Sequence, residues 1–448
     1  MNKVVWNQCR ALLEEKRFRD LRELLAGENE VELAEVLEAL APEQAILTFR
    51  SLPKEQAAEV FSQLPPESRE VIVSSATDQE LGEIVEELFV DDAVDTLEEL
   101  PANVANRMLR QAQPETRRLI NQFLQYPDGS VGSIMTAELI DLKKTDTAGA
   151  AIARIRRVGG DCESIYTCYV TDSQRMLEGV VSLRQLLLAA DDTPVEALMD
   201  PSVITARTTD DQERAVETLM RYDFLSLPVV DKEGRLVGVV TVDDVMDVME
   251  EEATEDFEKM AAMAPSEKPY LKTGVFALAK HRVAWLLVLM VSGMLTGGIL
   301  GRYEAAFAAI PLLVTFIPML TDTGGNAGSQ SSTLVIRGMA VGEISLADFP
   351  RVVWKELRVS VVVGAVLAAV NLVRLLIQYP GSQMICLTVT IALFATVVIA
   401  KTVGGVLPMA AKLIHADPAI MAAPLITTIV DALSLILYFG IAQRLLPL

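Results

Sequence analysis

Apolar residues between Asn29 and Leu124 return in a twelve-residue rhythm. The frames NEVELAEVLEAL, APEQAILTFRSL, PKEQAAEVFSQL, PPESREVIVSSA, TDQELGEIVEEL, FVDDAVDTLEEL, PANVANRMLRQA and QPETRRLINQFL follow one another without a gap. Many open on Pro or an acid and close on apolar residues. Pro suits the first turn of a helix, where its missing N–H is not needed. The pattern predicts one short helix and a tight turn per frame, stacked into an α-superhelix whose use is to present a surface. Acids gather on it at Glu59, Asp91, Asp92 and Asp95.

A looser repeat follows, over about residues 130–250. Tyr169-Val170-Thr171-Asp172 with Glu178-Gly179-Val180-Val181-Ser182 recurs 59 residues on as Val229-Val230-Asp231 with Val237-Gly238-Val239-Val240-Thr241. Each copy is led by a short element, Met135-Thr136 or Met199-Asp200, and then a helical stretch, Gly149–Arg157 or Glu213–Tyr222. This α/β pattern resembles a tandem pair of CBS domains, most clearly in LPVVDKEGRLVGVVTVDDVMDV. Such pairs act as regulatory modules for small ligands.

Beyond this repeat, Val245–Ala264 is polar and acidic, and it predicts a connecting helix with Glu251, Glu252, Glu255, Asp256 and Glu258 on successive turns. Long apolar runs then begin. Val283–Leu300 is uncharged for 18 residues, enough for a membrane helix. Five spans are expected, at about 283–301, 304–321, 358–378, 384–412 and 418–445. Bases precede the first span (Lys268, Lys272, Lys280, Arg282) and fill the loop after the second (Arg337, Arg351, Lys355, Arg358). That bias puts the N-terminus in the cytosol and the C-terminus outside. Arg374 falls near the outer face, where it can snorkel. The start, MNKVVWNQCR, has no apolar core long enough for a signal peptide.

Charge sharpens this division. The chain is 51% hydrophobic yet carries a net charge of −22. Residues 268–448 hold 7 acids and 13 bases, which leaves 54 acids and 26 bases in residues 1–267. An acidic front half therefore precedes an oily, mildly basic back half. So large an excess repels itself. Nucleic acid has the wrong sign to relieve it, and multivalent cations have the right one. The four cysteines show no metal-knuckle or disulfide spacing.

The sharpest chemical signal is Asp431, a single charge in the middle of the fifth span, PLITTIVDALSLILYFG. An ionised carboxylate there costs several kcal/mol, so such residues mark water-filled ion paths. Magnesium prefers oxygen ligands and gives up its water reluctantly, and a carboxylate can hold it through that water. In a symmetric dimer the same Asp arrives twice at the two-fold axis. The stretch from Pro318 to Gln330, with Gly324-Gly325-Asn326-Ala327-Gly328, is expected to break the helix at the end of the second span. Asp417 before Pro418 reads as a helix cap at the start of the fifth. No nucleophile–base pair, Walker motif or HExxH occurs, so no enzyme is expected. A membrane-anchored CBS sensor or scaffold without conduction is the alternative reading, and it has no use for Asp431.

Taken in order, these residues resemble an MgtE-type magnesium channel/transporter. The resemblance implies a multidomain fold. Its parts are an all-α superhelical N-terminal domain (1–128), an α/β tandem CBS pair (129–195 and 196–250), an acidic connecting (plug) helix (251–280) and a five-helix α transmembrane domain (281–448). It further implies a multi-pass cell-membrane homodimer that imports Mg2+ and is closed by Mg2+ bound to its cytosolic domains. The implied metal ligands are Asp431 in the pore, Asp417 at its cytosolic side, and Glu59, Asp91 and Asp95 on the N-terminal domain. Glu213, Asp223, Asp244 and Asp247 follow on the CBS pair, and Glu252, Glu255 and Asp256 on the plug helix. Gly325, Asn326 and Gly328 are implied to line the pore. Adenine nucleotide at the CBS pair is a further implied partner, with Gln185 standing after Arg184 where the family has an acid.

Overall fold

The computed structural model describes residues 3–266, 270–271 and 273–447. Lys268 and Lys272, expected in the basic leader, lie outside the described residues. The chain divides into two compact units, Met1–Met249 and Glu250–Leu448.

In the first unit, α1 (Lys3–Glu14) and α2 (Phe18–Leu25) precede one helix per twelve-residue frame. These are α3 (Glu30–Ala39), α4 (Pro42–Phe49), α5 (Lys54–Ser62), α6 (Pro66–Ser75), α7 (Asp78–Glu87), α8 (Val90–Glu99), α9 (Ala102–Gln111) and α10 (Pro114–Phe123). The frame edges are the helix caps: Asn29, Ala41, Pro53, Pro65, Thr77, Phe89, Pro101 and Gln113 are the eight N-caps. Thr77 and Glu80 form a reciprocal capping box, which satisfies two backbone donors at once. The residues that close the frames, Leu40, Leu52, Leu64, Ala76, Leu88, Leu100 and Ala112, are buried. Each frame thus spends its last apolar residue on the shared core, and the stack holds together repeat by repeat.

Two three-stranded sheets follow. The first contains β1 (Asp141–Leu142), β2 (Thr167–Thr171) and β3 (Leu177–Ser182), with α11 (Ala148–Val158) as its crossover and α12 (Leu183–Leu188) and α13 (Val195–Leu198) after it. The second repeats this plan with β4 (Ala206–Arg207), α14 (Gln212–Tyr222), β5 (Ser226–Val230) and β6 (Leu236–Thr241). The register repeats as well, with Cys168 opposite Val181 and Leu227 opposite Val240.

The two copies interlock. Each leader pairs with the other copy. Thr136 exchanges both backbone hydrogen bonds with Val239 of the second sheet (2.8 and 2.9 Å), and Asp200 does so with Val180 of the first (2.8 and 3.0 Å). Gly179 and Gly238 make these crossings possible. A Cβ on Gly238 would stand 2.6 Å from the Thr136 carbonyl oxygen, and one on Gly179 would stand 2.8 Å from the Met199 sulfur. The two copies thus exchange their leading segments.

α15 (Val242–Met260) carries the chain out of the first unit. The connecting helix expected over 251–280 ends at Met260, and among the described residues the next helix begins at Val275. The second unit then contains α16 (Val275–Arg302), α17 (Glu304–Ala309), a 3-10 segment (Pro311–Phe316), α18 (Ile317–Ala340), α19 (Phe349–Gln378), α20 (Gln383–Leu413), a 3-10 turn (Pro418–Met421) and α21 (Ala423–Leu445). Among the described residues, four stretches are long and apolar enough to cross a membrane: Val275–Arg302, Leu346–Gln378, Gln383–Leu413 and Ala423–Leu445.

The expected second span, 304–321, is not one helix. It breaks at Ile310–Phe316, between α17 and α18, and the glycine-rich stretch expected to break it lies inside α18 instead. Tertiary contact is the reason. Gly324, Gly325 and Gly328 are buried, and an added Cβ at each would meet side chains of α21 at 2.7–2.9 Å. Helix propensity is a weak prior when a bare backbone is what lets two helices approach.

Candidate ion path and acidic cleft

Asp431 sits eight residues into α21. One carboxylate oxygen, Oδ1, is buried with no hydrogen-bond partner. Asp322 of α18 is close enough to act on it electrostatically. On the same stretch of α21, Thr427 and Thr428 return their hydroxyl protons to the carbonyls of Ala423 (2.7 Å) and Pro424 (3.0 Å). Their oxygens keep lone pairs to offer. Gly325 and Gly328 are packed against Thr427 and Ile426, and Asn326 is exposed on α18. Of the three residues expected on the pore, only Asn326 offers a side chain.

A second buried polar group escaped the sequence reading. Lys401 of α20 is 5% exposed. Its ammonium lies 3.4 Å from Gln330 Oε1 and 3.4 Å from Ser331 Oγ, and Ser331 donates to Glu356 Oε2 at 2.6 Å. The network ties α18, α19 and α20 together. Its signal in the sequence was a base in the interior of the fourth apolar run.

Asp417 is the cap expected of it. Oδ1 accepts from the Ala419 N–H at 2.8 Å, which opens the turn before α21. Its other oxygen, Oδ2, lies 2.7 Å from Lys259 Nζ, which is also 2.7 Å from Glu255 Oε1. Partial burial, and then the nearby Asp417 charge, raise the Asp256 pKa above its ordinary value. Glu252 is partly buried on the same helix.

In the first unit, α8 brings Asp91 and Asp92 against the CBS pair. Burial, then Asp244, Asp92 and Glu163, push the Asp91 pKa well up. Burial followed by Asp244 and Asp243 puts Glu163 at about 8. Asp95, whose side chain still reaches solvent, is pushed up to about 7, first by desolvation and then by Asp92. Asp244 rises to about 6 through burial, although the Thr241 hydroxyl donates to it. The cleft is therefore a place where several carboxylates repel one another, and the Arg69 charge beside Asp92 and Asp95 offsets this only in part. Glu163 was missed because it lies in a loop far in sequence from both α8 and Asp244.

The remaining expected ligands lie apart from this cleft or at its edge. Glu59 is exposed on α5, Glu213 and Asp223 are exposed at the two ends of α14, and Asp247 is exposed on α15. Asp223 ends α14 in the left-handed conformation, at φ 53°. Among the described residues, no three His, Cys, Asp or Glu side chains converge closely enough to hold a metal. The cleft is an electrostatic neighbourhood, not a formed chelate.

Comparison with known proteins agrees with this layout. Residues 317–441 match the MgtE family described as a divalent cation transporter, 28–129 match the MgtE intracellular N domain, and 195–251 match the CBS domain. The magnesium transporter MgtE of Thermus thermophilus is 38% identical over 327 residues, 73% of this chain and 72% of that protein. The corresponding transporter of Bacillus subtilis is 35% identical over 72% of this chain and 71% of its own length. Among solved structures, the cytosolic domain of the Mg2+ channel MgtE in complex with ATP is 36% identical. It covers 54% of this chain and 99% of that one, with a TM-score of 0.52. The soluble part of a magnesium transporter gives 28% identity, a TM-score of 0.54 and coverage of 56% and 99%.

Proposed function

Because the chain belongs to the MgtE family of magnesium transporters, we propose that it imports Mg2+ past Asp431 as a homodimer and closes when cytosolic Mg2+ fills its acidic cleft. It is a transporter and not an enzyme. The observation that carries the conduction reading is the orphan Oδ1 of Asp431. A buried carboxylate oxygen without a donor is costly, and a hydrated divalent ion supplies both charge and O–H donors. Two-fold symmetry would bring two such carboxylates to one axis and neutralise one ion. An inside-negative potential favours inward movement of a divalent cation by about 4.6 kcal/mol per 100 mV, so no hydrolytic engine is needed.

The path crosses the cell membrane five times in this reading, with the N-terminus cytosolic and the C-terminus outside. α18 supplies the crossing that hydropathy misses. Its 24 residues span about 36 Å, and its polar and glycine residues pack on α20 and α21. Growth of magnesium-uptake-deficient cells tests the reading. Cells expressing the chain should grow at low external magnesium, and cells expressing Asp431→Asn at equal membrane abundance should not.

Regulation follows from the cleft. Asp91, Asp92, Asp95, Glu163 and Asp244 are each held above the ordinary carboxylate range, first by burial and then by nearby carboxylates. Mg2+ bridging of Asp91, Asp95, Asp244 and Asp247, with Glu59, Glu213 and Asp223 as further ligands, would remove that cost. Glu252, Glu255, Asp256 and Asp417 form the corresponding acids beside the membrane part.

Protons should act in the same direction as magnesium. Carboxylates whose folded pKa exceeds the unfolded value destabilise the fold at high pH, and the cost is relieved as pH falls. The window here runs from about 8, set by Glu163, down through about 6, set by Asp244. With metal chelated, the thermal midpoint of the cytosolic part should be higher at pH 6 than at pH 8 by at least about 3 °C. Magnesium should raise the midpoint more at pH 8 than at pH 6. A midpoint that is flat or falls on acidification would count against the cleft as the sensor.

One relative's cytosolic domain holds ATP, and adenine nucleotide at the CBS pair is proposed on that likeness. Gln185 can meet it only as a neutral partner, and its amide already engages Ser182 and the Leu198 carbonyl.

A further inference from the structure

Between Glu250 and Ala264 the chain has six acids and a single base, Lys259. That base does not point into solvent, for its side chain is 24% exposed. Its ammonium sits 2.7 Å from Glu255 Oε1 on its own helix and 2.7 Å from Asp417 Oδ2 at the start of the last membrane segment. The contact continues into the membrane part through hydrogen bonds. Asp417 caps the 418–421 turn through the Ala419 N–H, and the carbonyl of Met421 in that turn accepts from Ser332 Oγ of α18 at 2.7 Å. The helix end itself is folded back locally, with Glu258 accepting from the Ser266 N–H at 2.7 Å. Lys259 is therefore a charged bridge from the acidic end of α15 to the capped turn that precedes the Asp431 helix.

We infer that Lys259 is a tethered cation that occupies the Glu255–Asp417 position, latching α15 to the membrane part when no divalent ion is there. A divalent ion and the ammonium want the same oxygens. An ammonium brings one charge and three donors on a flexible stem. Magnesium brings two charges and keeps most of its water. For Mg2+ to bridge Glu255 or Asp256 to Asp417, Lys259 must first leave Asp417. Being tethered, it competes at a fixed effective concentration. Lys259 thereby sets how much cytosolic magnesium is needed to close the path. This inference rests on the regulatory reading above.

The test uses the full chain in liposomes, with Lys259→Gln to remove the charge at similar length and Lys259→Arg to keep it. Two readouts are followed: hydrogen exchange over residues 250–264 with magnesium chelated, and the cytosolic magnesium concentration that halves flux. Lys259→Gln should lose the metal-free protection. It should regain protection and close at about five-fold less magnesium than the parent, the scale of a partly exposed ion pair. Lys259→Arg should keep the parent's behaviour in both. Unchanged protection and set point in Lys259→Gln would overturn the inference. So would a requirement for more magnesium, which would make Lys259 a supporter of the divalent site and not its rival. Asp431→Asn serves as the control, since it should abolish flux yet leave the exchange pattern intact. Absence of flux in the parent would defeat the conduction reading, while the exchange data would still decide the latch.

Discussion

Replacing Asp431 with Asn should reduce magnesium flux through the purified chain by about a hundred-fold or more, with the protein still folded and membrane-inserted. The change keeps the shape of the side chain and removes one charge. A carboxylate acting on a hydrated divalent ion a few ångströms away, in a partly screened site, is worth on the order of 3 kcal/mol. Each 1.4 kcal/mol is a factor of ten in rate. The fold should tolerate the change, because Oδ1 has no partner to lose. Asp431→Glu should retain part of the flux, since the charge survives and only its depth changes. Flux through Asp431→Asn within about two-fold of the parent would show that ions take another route. A protein that merely anchors a CBS sensor would be indifferent to the substitution.

Gly404→Ala should have the opposite profile, failing at assembly before conduction can be measured. A Cβ at Gly404 would overlap the carbonyl oxygen of Gly328 and stand 2.9 Å from its carbonyl carbon. Both neighbours are backbone, on α20 and α18, so no side-chain rotation relieves the clash. The helices must separate, and with them Gly324 and Gly328 lose their fit against Val430 and Ile426 of α21. Overpacking of this kind costs about 3 kcal/mol. The expected result is a sharp fall in monodisperse, detergent-stable protein, read by size-exclusion chromatography and thermal unfolding. Gly301→Ala is the matched control, because a Cβ there meets nothing within 4 Å. Equal stability of the two variants would contradict the close α18–α20 contact.

Much of this architecture could be read from local pattern, and the parts that could not share a cause. The eight frame helices were legible because most boundaries carry their own chemistry, a capping residue or Pro at the start and a buried Leu or Ala at the end, with Phe89 and Leu124 as the exceptions. The repeat of β2–β3 in β5–β6 was legible because alternation and turn residues recur at one spacing. Asp431 stood out as a lone charge in an apolar run. The exchange of Thr136 and Asp200 between the two sheets was not legible, since isolated pairings such as Thr136 with Val239 and Asp200 with Val180 leave no periodic trace. The only hints were Gly179 and Gly238, whose need for bare backbone is clear only when Met199 and Met135 are seen against them. The glycines of α18 misled for the same reason. In isolation they weaken a helix, and here they are where α20 and α21 come in. The cleft was half legible. Asp91, Asp95 and Asp244 were named from the resemblance to the family, whereas Glu163 joins them only through folding. Lys259 was visible as the single base in an acidic run, but its partner Asp417 is more than 150 residues away.

The central claim is that magnesium itself passes through this chain and also closes it. The most direct measurement is Mg2+ uptake into liposomes that contain only the purified protein, with free magnesium on the cytosolic face set from micromolar to millimolar. The account predicts Asp431-dependent uptake at the low end, falling steeply as the cytosolic concentration rises. Uptake no greater than in protein-free liposomes, or uptake indifferent to cytosolic magnesium across that range, would contradict it.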